Sequence, residues 1–184
     1  MGATVAEAHR HEAHRHEALA FVSQAVAETA DRLPDTDRVS MELILHLHRL
    51  TTAVVYDLES SVHRPAGWSW SAFRAMFTLW INGPLEPSRL AEVSGMSRQA
   101  VSALVKTLEA DGLVERHGAE HDARSFVLSL TPAGTDRLEQ VFAEHNRRET
   151  AWAAALDPDE RRTMIRLLAK LSDAAHEPWV NQRC

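Results

Sequence analysis

Arg98, Gln99, Ser102 and Lys106 carry the clearest recognition chemistry in this chain. Arg98, Ser102 and Lys106 recur at four-residue steps with Gln99 beside the first, so on a helix the four share one face. A guanidinium fork matches the two acceptors of guanine, and a glutamine amide matches the donor and acceptor of adenine. The set therefore suits base edges in a DNA major groove. Ser97, fitted to cap the start of this helix, joins it, and the small Ala103 lets the backbone come close. Ala100, Val101, Leu104, Val105 and Leu108 form the apolar stripe that predicts a buried face on the other side.

Flanking segments must hold that helix in place. Pro87 to Ser94 reads as a short helix with proline in its first turn and Gly95 just past its end, and Asp111-Gly112 ends the second helix. Leu113 to His117 and Ser125 to Leu130 are strand-like runs joined by residues 118 to 124. The tip of this ribbon is expected to offer Arg116, His117, His121 and Arg124, with Arg124 best suited to a narrow minor groove. Two short helices, a sharp turn and a two-stranded ribbon, from Leu85 to Gly134, make a winged helix-turn-helix.

The string Gly95-Met96-Ser97-Arg98, Leu108-Glu109, Gly112-Leu113-Val114-Glu115-Arg116, Asp122-x-Arg124 and Leu130-Thr131-Pro132-x-Gly134 resembles the MarR family of bacterial transcriptional regulators. The resemblance is dense over about a quarter of the chain. It implies a homodimer, a recognition helix in the major groove, a wing in the minor groove and a small ligand that weakens DNA binding. Some members carry an extra N-terminal helix, as this chain does. A urate-sensing branch places an acid where Arg74 stands and an arginine where Ala103 stands, so urate is not expected.

Length and composition agree with a globular regulator. The chain has 184 residues, of which 45% are hydrophobic, enough for a core. Its formal charge of -6 places any nucleic-acid footprint in a local patch. Acids slightly outnumber bases from Leu85 to Leu130, so the acids there must point away from DNA, and binding should weaken steeply with salt. The single cysteine, Cys184, allows no intrachain disulfide, and no signal peptide or apolar span appears, so a cytoplasmic protein is expected. No cofactor is implied.

The chain opens on Glu7-Ala8-His9-Arg10-His11, repeated as Glu12-Ala13-His14-Arg15-His16. A five-residue period spirals around a helix, so the histidines do not line one face, although His9 with His16, or His11 with His14, can meet. A solvated segment is a simpler reading than a metal site, since no carboxylate or thiolate set completes one. Phe21, Val22, Ala25, Val26, Thr29 and Leu33 suggest an amphipathic helix stopped by Pro34. Asp37 to Val62 reads as a long helix whose apolar surface, broader than one core face needs, predicts burial on two sides. Residues 63 to 67 break it. Trp68 to Ile81 places Phe73, Met76, Phe77 and Trp80 on a core stripe.

After the ribbon, Thr131-Pro132 opens a long helix through Leu138, Val141 and Phe142 to near Leu156. Asp157 with Glu160 then signals a capped closing helix bearing Met164, Ile165, Leu167, Leu168 and Leu171. The expected fold is mainly α with a small β-wing. Residues 1–36 form a tail and extra helix, 37–67 a dimerisation helix, 68–134 the winged helix-turn-helix, and 135–184 the C-terminal dimerisation helices.

For an effector, the resemblance directs attention to the crevice beside the winged unit. Arg74 suits a carboxylate or phenolate there, with Trp70, Phe77, His46 and Tyr56 as companions. The function expected is a DNA-binding regulator, a repressor acting as a homodimer on a pseudo-palindromic operator and modulated by a small anionic or aromatic ligand. The alternatives are a metal-responsive regulator of the same fold and a winged helix used for protein contacts. No nucleophile elbow, phosphate loop or closed metal-ligand spacing points to an enzyme.

Overall fold

The computed structural model describes residues 20–119, 122–175 and 177–180, with backbone alone at 119 and 122–125. The elements are α1 (20–32), α2 (Arg38–Leu58), α3 (Trp70–Asn82), α4 (Pro87–Ser94), α5 (Arg98–Ala110), β1 (Val114–Ala119), β2 (Asp122–Leu130), α6 (Pro132–Ala153) and α7 (Pro158–Ala174). A five-residue π-helical turn, Glu59–His63, follows α2 directly. The histidine repeat at 7–18 and Cys184 lie outside the described residues. No described helix is long and apolar enough to cross a membrane.

The chain divides after Val55 into two compact units. In the first, α1 turns Val22, Val26 and Ala30 inward at four-residue steps. Phe21 and Leu33, expected on that stripe, are exposed instead, and the Arg49 guanidinium lies 5.1 Å over the Phe21 ring. Asp37 caps α2, its carboxylate accepting from the Ser40 amide at 3.1 Å. Val39, Leu43, Ile44 and Leu50 stand exposed along α2.

The second unit is built on α3, which begins two residues later than expected because Ser69 caps it through the Ala72 amide. Its buried face is Ala72, Phe73, Ala75, Met76 and Leu79, whereas Phe77 is half-buried and Trp80 lies at the rim. Ala75 is fully buried on that face, so the stripe lies part of a turn away from a count centred on the aromatics. Leu90, Val101, Val105, Leu108, Leu128 and Leu138 complete one continuous core with α3.

The ribbon is tighter than expected. β1 and β2 pair antiparallel from Val114 opposite Leu130 to Ala119 opposite Asp122, so the connecting loop is shorter than residues 118–124. A further backbone bridge joins Leu85 to Leu128 through two hydrogen bonds of 3.0 and 2.8 Å. Thr131 then caps α6, accepting from the Gly134 amide at 2.9 Å and donating to the Gly112 carbonyl at 2.7 Å. A side chain at Gly134 would overlap the Leu113 carbonyl. Asp157 and Glu160 form the expected reciprocal capping box of α7. That helix buries none of its residues, and Met164, Ile165, Leu167, Leu168 and Leu171 stand exposed.

Candidate nucleic-acid interface and effector cleft

Gly95 takes the left-handed conformation (φ 64°) that turns the chain from α4 into α5, which explains a glycine there. Ser97 caps α5 through the Ala100 amide at 3.2 Å. Val101, Val105 and Leu108 anchor the helix in the core, while Ser97, Arg98, Gln99, Ser102 and Lys106 face outward. Ala100 and Leu104 depart from the expected stripe: Ala100 is exposed and Leu104 only half-buried, since the stripe is narrower than a heptad count suggests. Arg98, Gln99 and Lys106 make no side-chain hydrogen bond or ion pair to another described residue, so their donors stay available.

Arg116 does not stand at the wing tip. It sits mid-strand opposite Leu128, donates from Nε and Nη2 to both Glu109 carboxylate oxygens at 2.5 and 2.8 Å, and lies 4.5 Å over the Phe126 ring. Its fork is occupied by the recognition helix, because a two-residue strand period carries Arg116 toward the end of α5. His117 is likewise held on the ribbon by Ser129 at 2.9 Å and Glu115 at 3.3 Å. His121 and the Arg124 side chain lie outside the described residues.

A second feature is a cleft of about 420 Å³ among α3, α4 and α6. From α3 come Trp70, Phe73, Arg74 and Phe77, with Thr78 and Asn82 at one end. Val93 and Ser94 of α4 and Phe142, His145 and Glu149 of α6 close it. Phe77 stacks on Phe142 at 5.4 Å, and Phe73 on His145 at 4.4 Å, so the walls are flat and aromatic. Arg74, half-buried, has no ion-pair partner among the described residues. Its Nη2 rests against the Gly95 turn, 3.1 Å from where a side-chain carbon there would stand.

Trp70, Arg74 and Phe77 line one cleft, and its lining includes neither His46 nor Tyr56. His46 belongs to the N-terminal unit, where it is exposed and pairs with Glu42 one helical turn back at 3.8 Å. Tyr56 is 66% exposed, because the α2 face that carries it points to solvent. The residues missed were Phe142, His145 and Glu149, although their spacing from Leu138 and Val141 continues the inward face of α6.

Behind the cleft, the π-helical turn buries His63 completely. Its Nε2 lies 3.1 Å from Nδ1 of His145, and Nε2 of His145 lies 3.1 Å from Glu149 Oε1. His63 Nδ1 is buried without a partner among the described residues. Burial, with the neighbouring His145 adding to it, lowers the His63 pKa to about 4, so the ring is neutral near pH 7. Nearby, Asp57 accepts from Arg148 at 2.5 and 2.7 Å and from the Trp152 indole at 2.8 Å. The Arg148 hydrogen bonds, outweighing desolvation, lower its pKa to about 2. Among the described residues, no group of three His, Cys, Asp or Glu side chains is placed to hold a metal.

Residues 66–125 match the MarR family model. The chain is 29% identical over 137 residues to the HTH-type transcriptional regulator YwaE of Bacillus subtilis, covering 74% of this chain and 80% of that one. Among solved structures it is similar to the transcriptional repressor CouR bound to a 23-mer DNA duplex, at 26% identity and a TM-score of 0.66, covering 74% of this chain and 96% of that one. BpsR of Bordetella bronchiseptica, whose DNA binding is regulated by 6-hydroxynicotinic acid, shares the fold at a TM-score of 0.65 and 19% identity, over 71% and 98% of the two chains.

Proposed function

For this member of the MarR family of transcriptional regulators, we propose a repressor that grips a pseudo-palindromic operator as a homodimer and releases it when a small aromatic anion fills the cleft. The observation that carries the DNA reading is the row of Arg98, Gln99, Ser102 and Lys106 on the outward face of α5, unpaired among the described residues. Arg98 and Gln99 read base edges, Ser97, Ser102 and Lys106 hold the backbone, and Arg124 enters the minor groove from the wing. Arg116 braces the wing through Glu109.

One recognition helix reads only a few base pairs, so two must be held together to read both half-sites. The apolar row on α7, with Ile165 67% exposed, supports pairing of two chains there, and the exposed apolar residues of α2 support the same for the 37–67 segment. The winged unit takes 68–134. A mass of about twice 20.6 kDa in solution would fit this reading, and a monomer at operator-binding concentrations would contradict it.

The effector reading rests on Arg74, a cation within aromatic walls that has no ion-pair partner among the described residues. A ligand held there touches α4 at Val93 and Ser94 and, through Arg74, the Gly95 turn, so it bears directly on the helix-turn-helix. Its power to release DNA equals its preference for one arrangement of those helices over the other. Fluorescence anisotropy with promoter and scrambled duplexes at two salt concentrations tests the regulator reading. Sequence-dependent, salt-weakened binding supports it, and equal weak binding to both duplexes opposes it.

A further inference from the structure

We propose that an anionic ligand enters the cleft together with a proton, and that the proton is stored on Nδ1 of His63. This rests on the effector reading of the same cleft.

Among the described residues, the cleft is lined by one cation without an ion-pair partner, Arg74, and one carboxylate, Glu149. An arriving anion cancels Arg74 and then faces the part-exposed Glu149, which also accepts from Asn146 at 3.0 Å, so the cleft gains one net negative charge along its aromatic walls. A proton taken up next to Glu149 removes that excess.

The hydrogen bonds decide where it goes. Glu149 Oε1 accepts, so His145 Nε2 carries hydrogen. The 3.1 Å contact between His145 Nδ1 and His63 Nε2 has room for one hydrogen, whichever ring owns it. The neutral pair has two protons, and these fill those two places. A third has one vacant nitrogen left, His63 Nδ1, the buried atom without a partner. Buffer acid supplies the proton, and no bond other than this N–H forms.

The surroundings set when this happens. On its own turn His63 faces Glu59, which favours the proton and is itself paired with Arg64 at 3.7 Å. From α6 it faces His145, which opposes the proton, with Glu149 beyond; Arg148 on that helix is neutralised by Asp57. From α3 it meets the uncharged rings of Trp70 and Phe73, with Arg74 as the nearest charge in that helix's sequence. In the empty cleft burial keeps the proton off at neutral pH. An anion against the Phe73 face supplies the missing counter-charge.

The probes are 4-hydroxybenzoate and 6-hydroxynicotinate, titrated calorimetrically into the full chain at about pH 5.5 and about pH 7.5, where both carboxylates stay ionised. Two buffers of different ionisation heat report protons taken up. The expected result is uptake approaching one proton, affinity rising by up to about tenfold per pH unit on acidification, and both effects lost in His63→Phe while binding persists. Binding in the wild-type chain without uptake or pH slope overturns the proposal and leaves the effector reading intact. A slope that survives in His63→Phe also overturns it, since the proton then resides elsewhere. Failure of both probes to bind at either pH removes the effector reading and this proposal with it.

Discussion

Arg116 in the wing and Glu109 near the end of the recognition helix form a two-point ion pair, Nε to Oε1 at 2.5 Å and Nη2 to Oε2 at 2.8 Å. The pair lies beside the outward face of α5 that we propose meets DNA, and it ties up one acid and one base at once. Glu109→Gln should therefore raise non-specific DNA affinity several-fold and steepen its salt dependence by about one unit, because a phosphate can compete for the freed fork. Thermal stability should change by less than about 1 kcal/mol, since both groups are part-exposed. Anisotropy over a salt series checks this, and an unchanged slope would show that Arg116 never reaches phosphate.

Arg98→Ala and Gln99→Ala should each cost about 1 to 3 kcal/mol in operator binding and relax sequence preference, as expected for contacts to base edges. Binding of a randomised duplex pool, followed by sequencing, reads the preference. An operator affinity equal to wild type in Gln99→Ala would show that another face of α5 reads the bases.

Arg74→Met keeps an unbranched apolar stem and removes the guanidinium, whose Nη2 rests against the Gly95 turn. Operator affinity should hold within about twofold, while release by aromatic carboxylates is lost, worth about 1.5 to 3 kcal/mol for a charge-assisted hydrogen bond. Release that persists at wild-type ligand concentration would remove Arg74 from the effector site.

Acid should destabilise the chain in two windows. His63 has a folded pKa of about 4 against 6.5 when unfolded, so the unfolded state binds the extra proton first. Stability falls between those values as pH drops, by about 3 kcal/mol in total. Asp57 runs from 3.8 unfolded to about 2 folded, so its contribution is complete above the first value and is lost toward the second. Urea unfolding across pH should lose the upper window in His63→Phe and the lower one in Asp57→Asn. An unaltered upper window in His63→Phe would assign that loss to another histidine.

Gly134→Ala should lower stability by about 1 to 3 kcal/mol, although alanine favours helices elsewhere. The added carbon would overlap the Leu113 carbonyl, and its carbon atom would be 2.9 Å away, so backbone must shift. An unchanged melting temperature would mean that α6 can slide away at no cost.

The helix-turn-helix was legible because its signals are local. Pro87, Gly95, Ser97 and Thr131 occupy caps that only a few residue types fill, and Val101, Val105 and Leu108 repeat at helical spacing. The cleft was half legible. Trp70, Arg74 and Phe77 advertise themselves within one helix, but which α6 residues face them depends on how α6 crosses α3. His63 read as part of a helix break because its five-residue π turn has no sequence signature that a period of 3.6 would detect. Arg116 looked free because its partner Glu109 belongs to a different element.

The bridge between Leu85 and Leu128 has a consequence for assembly in time. The segment before α4 completes the edge of the wing, so α4, α5, β1 and most of β2 lie within a loop that closes at those two residues. Closing that loop costs chain entropy before the contacts inside it repay it. The reading helix and the wing should therefore become ordered in one step, and damage at Leu85 or Leu128 should slow folding of the whole reading head while an intact hairpin still forms early.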